Sequence, residues 1–188
     1  MTYADYVAQA AASPTRVEFV DGTTYAMAGG TPAHAQLAMQ TGAALLGLLR
    51  SGRGRCRAYS ADARIHVLAT GSSFYPDASV VCGPTETAPH DADAITNPTL
   101  LVEVLSDGTE LFDRGRKFSN YQRIPTLRHY LLVAQDRVRV EHFRRNDDET
   151  WTLTILEVGG VVHLPDLGGD VSTMEIYRDV LPGVRAGE

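Results

Sequence analysis

Lysine is almost missing from this sequence: Lys117 stands alone against sixteen arginines. Cysteine is scarce as well. Cys56 and Cys82 both fall inside strand-like runs and are read as buried reduced thiols, which fits a cytoplasmic protein. No Cys/His spacing resembles a zinc site. No apolar run approaches the roughly 20 residues of a membrane span, so no membrane partner is expected. Residues Met1 to Tyr6 lack the positive and apolar regions of a signal peptide. Excess positive charge is also absent. A formal net charge of −6 argues against coating DNA by charge alone, but leaves room for a local basic groove. The segment Arg50 to Arg57, with four arginines, is more simply a solvated helix end.

What remains is an ordinary globular composition in 188 residues, enough for one domain with a real core. No repeat, linker or second domain is visible, and 182–188 reads as a frayed tail. Tyr3, Tyr6, Val7 and Ala10 share one helical face. Asp21-Gly22 between two strand-like runs predicts a hairpin. Thr31 as N-cap and Pro32 at the first helical position begin a helix that runs to about Arg50 and closes at Ser51-Gly52. Its glycines Gly42 and Gly47 predict close packing. Short strands are expected at 55–58 and 63–68, a longer one over 74–82, and a polar loop over 83–98. Leu100 to Leu105 is apolar on both faces, as in a central strand. A helix over 113–123 and a strand over 128–134 follow, implying a right-handed crossover and parallel pairing. Strands at 138–143, 151–158 and 161–164 continue as a meander. Ser172 with Glu175 forms a capping-box pattern for a last short helix.

Glu103 is the acid that most needs explaining. It interrupts Leu-Leu-Val-Glu-Val-Leu, where desolvating a lone carboxylate is costly. It therefore needs a buried ion pair or a metal. Lys117 lies one helix later; keeping lysine in an arginine-rich chain points to a compact ammonium as a point donor or as a group with a shiftable pKa. Tyr121, four residues on, shares its face. Asp77 follows Pro76 near a strand start, and Glu18 sits in Val-Glu-Phe-Val. Asp62, His34 and Arg114 are further candidates for substrate contact, although each alone reads more simply as structural. Together, Asp77 and Glu103, with the Val104 carbonyl, suit Mg²⁺ or Mn²⁺. Lys117 would orient a water or steady developing charge, with Glu18 assisting. That is the equipment of phosphodiester hydrolysis.

These residues also carry a resemblance. Glu18-Phe19-Val20-Asp21-Gly22, Met27-Ala28-Gly29-Gly30 ahead of His34, Tyr75-Pro76-Asp77, Asn97-Pro98, Val102 to Ser106, Asp113-Arg114-Gly115 with Lys117, and His129 to Val133 occur in order. The chain resembles the Uma2 family of restriction-endonuclease-like proteins, a branch of the PD-(D/E)xK nuclease superfamily. The resemblance implies an α/β restriction-endonuclease-like core: a central mixed β-sheet flanked by helices, with extra antiparallel strands. It implies Asp77 and Glu103 as metal-binding acids, DNA as substrate and a homodimer. The superfamily's lysine position is occupied here by Leu105, and Lys117 on the next helix matches a migrated lysine. Asp107 stands where such relatives often carry proline. The alternatives are an inactive nuclease-fold interaction module, or a phosphoesterase acting on RNA or another phosphoester.

Overall fold

The computed structural model describes residues 1–27, 29–51 and 55–181. Ala28, the Gly52 end of the long helix, Arg53 of the arginine segment and the 182–188 tail lie outside the described residues.

The chain begins with α1 (Tyr3–Ala12), whose N-cap Thr2 forms a capping box with Asp5. β1 (Val17–Val20) and β2 (Thr23–Ala26) make the expected hairpin, with positive φ at Asp21 and Gly22. α2 (Pro32–Ser51) follows, and the Thr31 hydroxyl accepts from the His34 N–H as the N-cap does. Its buried stripe is Leu37, Thr41 and Leu45. A Cβ added at Gly42 or Gly47 would touch nothing within 4 Å, so these glycines do not mark close packing.

Next come β3 (Cys56–Ser60), β4 (Arg64–Val67), β5 (Ser72–Phe74) and β6 (Ala78–Cys82). The single strand expected over 74–82 is thus two. Pro76 has no N–H to offer a ladder, and the chain passes there from one sheet to another. The expected polar loop contains β7 (Thr87–Ala88) and β8 (Asp91–Ile95); their short, alanine- and aspartate-rich runs hide strand character. β9 (Leu100–Leu105) is central and buried throughout.

The segment after β9 is one helical stretch: α3 (Glu110–Phe112), a π-helical turn (Asp113–Lys117) and α4 (Phe118–Tyr121). β10 (His129–Ala134), β11 (Val140–Arg145) and β12 (Trp151–Leu156) complete the larger set of strands. β13 (Val161–Leu164) does not extend the meander. It pairs instead with β14 (Gly169–Ser172), because Val162 and Leu164 bury against the α2 side of the core. α5 (Thr173–Ile176) has the expected Ser172–Glu175 capping box.

Two six-stranded sheets result, ordered β2-β1-β5-β4-β8-β7 and β12-β11-β10-β9-β6-β3. Both are mixed. β9 pairs parallel with β10, as the strand–helix–strand order requires, and β4 pairs parallel with β8. Side chains alternate along β9 and β10, so the second sheet has two different faces. Val102, Val104, Leu131 and Val133 pack towards α2. Leu101, Leu105, Tyr130 and Leu132 pack towards Val20, Ile65 and Phe74 of the first sheet. Glu103 belongs to this second, inter-sheet face.

The cysteines correct the sequence reading. Cys56 and Cys82 are cross-strand partners of β3 and β6, half-buried, and joined by a disulfide. The support that reduced thiols gave to a cytoplasmic setting is therefore lost. No helix among the described residues is long and apolar enough to cross a membrane.

Candidate functional site

β9 delivers Glu103 into the layer between the sheets, where its side chain is buried. Glu18 arrives from β1: Val17 and Phe19 pack on α1, so Glu18 and Val20 point inward. The π turn brings Lys117 and Asp113 to the same place. The Lys117 ammonium then lies 3.1 Å from Glu103 Oε2, 3.2 Å from Glu18 Oε1 and 3.3 Å from Asp113 Oδ1. The Tyr121 hydroxyl donates to Glu103 Oε1 at 2.8 Å, and the Tyr75 N–H donates to Glu18 Oε1 at 3.0 Å.

Asp77 approaches β9 from the head of β6. Its N–H donates to the Val102 carbonyl, and its Oδ2 accepts the Val104 N–H at 2.7 Å. His34 reaches the same spot from the first turn of α2. Its Nε2 lies 3.0 Å from the Val104 carbonyl oxygen and 3.4 Å from Asp77 Oδ2. Both are acceptors, so Nε2 carries the proton. The hydrogen bond to Asp77 raises the His34 pKa against the opposing effect of burial.

One ammonium is thus shared by three carboxylates, and the charges do not balance. Burial alone would push the lysine down; Glu103, Glu18 and Asp113 together push it up, so Lys117 stays charged. Each acid, by contrast, sees one cation and several anions. Burial raises Glu103 well above the usual carboxylate range, with Lys117 opposing and Asp113, Asp77 and Glu18 adding to the rise. Burial also raises Asp113, with Lys117 and Thr109 opposing and Asp77 adding to the rise, and its buried Oδ1 makes the longest of the three Lys117 contacts. The cluster is short of positive charge.

That deficit is the test of whether a divalent ion fits. The donors near Asp77, Glu103 and the Val104 carbonyl are oxygens, the preference of Mg²⁺ and Mn²⁺. Four acids against one lysine leave charge for such an ion to neutralise. Among the described residues no three His, Cys, Asp or Glu side chains already converge as a cage. The chemistry fits, with two carboxylates and one carbonyl as the donor set.

The structure brings together Asp77, Glu103, Lys117, Glu18, Tyr121 and His34, and leaves out Asp62 and Arg114. Asp62 is 81 % exposed and pairs with Arg16; it is a surface turn residue. Arg114 pairs with Glu110 and Glu141, which hold it away from the cluster. Its neighbour along the π turn, Asp113, takes the place in the site that sequence reading did not give it. The signal was there in the four-residue spacing of Asp113 and Lys117. Arg57 of the basic segment pairs with Val81, whereas Ser60 pairs with Ala78 beside Asp77. The described part of that segment therefore sits at the end of β3 remote from the acids.

Comparison with known proteins bears on the family and the fold. A family model, Uma2, described as "Putative restriction endonuclease", matches residues 3–175. An uncharacterized protein of Synechocystis sp., slr1290, is 34 % identical over 161 residues, covering 86 % of this chain and 83 % of its own. A second from the same organism, sll1609, is 33 % identical over 156 residues, covering 83 % and 87 %. The crystal structure of a "putative nuclease belonging to DUF820" from Anabaena variabilis superposes with a TM-score of 0.74. It covers 96 % of this chain and 99 % of that one at 15 % identity, a likeness of fold.

Proposed function

This chain belongs to the Uma2 family, and on that premise we propose that it is a divalent-metal-dependent endonuclease hydrolysing phosphodiester bonds in DNA. The observation that carries the reading is the shared ammonium: three buried carboxylates on Lys117, with Asp77 beside them, form a site that lacks positive charge. A purely structural ion pair has no use for that surplus.

In this reading Asp77, Glu103 and the Val104 carbonyl would hold Mg²⁺ or Mn²⁺. Bound there, the ion would acidify a water and neutralise charge on the attacked phosphate. Lys117 is held charged and so cannot act as a base. It supplies a fixed positive charge that draws the scissile phosphate and steadies its transition state, and it locks Glu103 and Glu18 in position. Tyr121 fixes the other Glu103 oxygen. Glu18, whose Oε1 is already held by Lys117 and the Tyr75 N–H, keeps its other oxygen to order a water. His34 covers the Asp77 and Val104 oxygens that would hold the ion. The whole chain is read as one nuclease domain, with DNA setting a cytoplasmic location. Cutting both strands calls for two sites, and so for a homodimer. Edge strand β12 exposes Leu153 and Ile155 for such a contact.

The test is cleavage of supercoiled plasmid with Mg²⁺ or Mn²⁺ and with chelator, using wild type, Glu103→Gln and Lys117→Met, each checked for folding. Metal-dependent nicking by wild type alone is expected. Cleavage that survives both substitutions marks a contaminant, and cleavage of RNA alone moves the substrate to the phosphoesterase alternative.

One observation favours a second reading, the inactive module: both Glu103 oxygens already have partners in Lys117 and Tyr121. A folded wild type that neither cuts nucleic acid nor gains stability from Mg²⁺ would establish it.

A further inference from the structure

Asp77 reaches the site on a short link between two sheets. β5 ends at Phe74 and belongs to the first sheet; β6 begins at Ala78 and belongs to the second. Only Tyr75, Pro76 and Asp77 lie between them. Whatever fixes this link fixes the Asp77 carboxylate.

The link touches two acids of the cluster. The Tyr75 N–H, just beyond β5, donates to Glu18 Oε1 at 3.0 Å, a side chain rather than a neighbouring strand. Asp77 donates its N–H to the Val102 carbonyl, and its Oδ2 accepts the Val104 N–H. Three residues thus set Glu18 at one end and Asp77 at the other.

The link is also stiff. The Pro76 ring locks its own φ, and a residue ahead of proline is held to extended conformations. Few soft torsions remain between Tyr75 and Asp77. A displacement of Tyr75 is therefore passed on to Asp77 rather than absorbed.

The Tyr75 side chain anchors this link. It is buried, and its hydroxyl accepts from Arg64 Nη1 at 3.3 Å. Arg64 is itself immobile: its Nη2 holds both oxygens of Asp91, and Tyr3 donates to the same carboxylate. That ion pair is complete without Tyr75, because its charges cancel and both carboxylate oxygens are held. The Tyr75 hydroxyl adds nothing to the charge balance. It adds a fixed point on β4 for a segment that leaves one sheet for another.

We propose that Tyr75 is a positioning residue of the acid cluster: its hydroxyl, held by Arg64, sets the Tyr75-Pro76-Asp77 link and with it the places of Asp77 and Glu18. The inference rests on the divalent-ion reading of that cluster. A contact of this kind orients a ligand without touching the ion, and losing it costs about 10- to 100-fold in metal affinity.

The test is calorimetric titration of the full chain with Mn²⁺, with the urea midpoint of each variant measured beside it. Tyr75→Phe removes one oxygen and keeps both the ring and the backbone N–H. It should weaken Mn²⁺ binding about 10-fold. Plasmid nicking should then need about 10-fold more Mn²⁺ and regain the wild-type rate at saturation. Tyr3→Phe is the control. It also takes a hydroxyl from the Arg64–Asp91 pair, but on the α1 side, so it should lower the urea midpoint and leave Mn²⁺ affinity unchanged. Pro76→Ala keeps the hydroxyl and loosens the link, and should weaken Mn²⁺ binding as well. Wild-type affinity in Tyr75→Phe or Pro76→Ala, or an equal loss in Tyr3→Phe, overturns the proposal while the divalent-ion reading stands. A wild type that binds no Mn²⁺ overturns both.

Discussion

Arg64 and Lys117 are both buried cations, yet Arg64 faces one carboxylate and Lys117 faces three. Arg64 Nη2 lies 2.7 and 2.6 Å from the two oxygens of Asp91, its Nη1 donates to the Tyr75 hydroxyl, and Tyr3 donates to Asp91. The charges cancel, and one guanidinium grips one carboxylate through both of its oxygens. Lys117 holds Glu18, Glu103 and Asp113 at almost equal distances, with no such cancellation. The first arrangement ties α1, β4 and β8 together. The second keeps acids in the interior that stability does not require. A balanced buried pair is explained by folding alone, whereas an unbalanced one asks for a further partner.

The sharpest way to break the comparison is to remove one charge from each. Asp91→Asn leaves Arg64 without its counter-ion, and Lys117→Met leaves three carboxylates without theirs. Each should cost about 3–5 kcal/mol in urea denaturation. Equal stability of Lys117→Met and wild type would show that the acids are already protonated. Mg²⁺ should then separate the two regions. At 100 times its dissociation constant it should add about 2.7 kcal/mol to wild type, and nothing to Asp77→Asn or Glu103→Gln, read as a shift in thermal midpoint.

Smaller changes sharpen the contrast. Asp113→Asn removes one surplus buried charge, the one at the longest distance from Lys117, so the metal-free protein should gain roughly 1 kcal/mol. The same chemical change at Asp91 is the destabilising one above. The least effect is on pH. Folding raises the Asp113 pKa, so the native state holds that proton more tightly than the unfolded chain does. Its contribution is present at low pH and is lost as pH rises through the folded value. Asp113→Asn should flatten that part of the stability profile, measured without metal.

The two regions also differ in how far the sequence reveals them. Glu103 was legible because a lone acid in an apolar strand needs a reason, and Lys117 because the chain uses arginine elsewhere. Asp77 was marked by the proline before it. Asp113 was hidden because an acid in the first turn of a helix is ordinary. The Arg64–Asp91 pair was invisible, since its members are 27 residues apart and meet only when β4 pairs with β8. Asp62 and Arg114 lie outside the cluster for a related reason: residue type does not say which neighbour a charge will pair with, and here Arg16 and Glu141 are those neighbours. In the fold, long periodic runs such as α2 and β9 read clearly. The strands β7 and β8 and the break at Pro76 depend on which sheet each segment joins, a fact of tertiary pairing.

The π turn at Asp113–Lys117 sets an angle as well as a path. Such a turn is an α-helix carrying one extra residue. Each residue of an α-helix advances the chain by about 100°. Deleting Gly115 would restore regular pitch and leave the amino acids of the cluster intact, yet rotate everything after it. Lys117 and Tyr121 would turn together, and Glu103 would lose both of its partners at once. The phase of the site is therefore written in the backbone, as a count of residues between two acids and a lysine, and a change of one in that count would cost more than most changes of side chain.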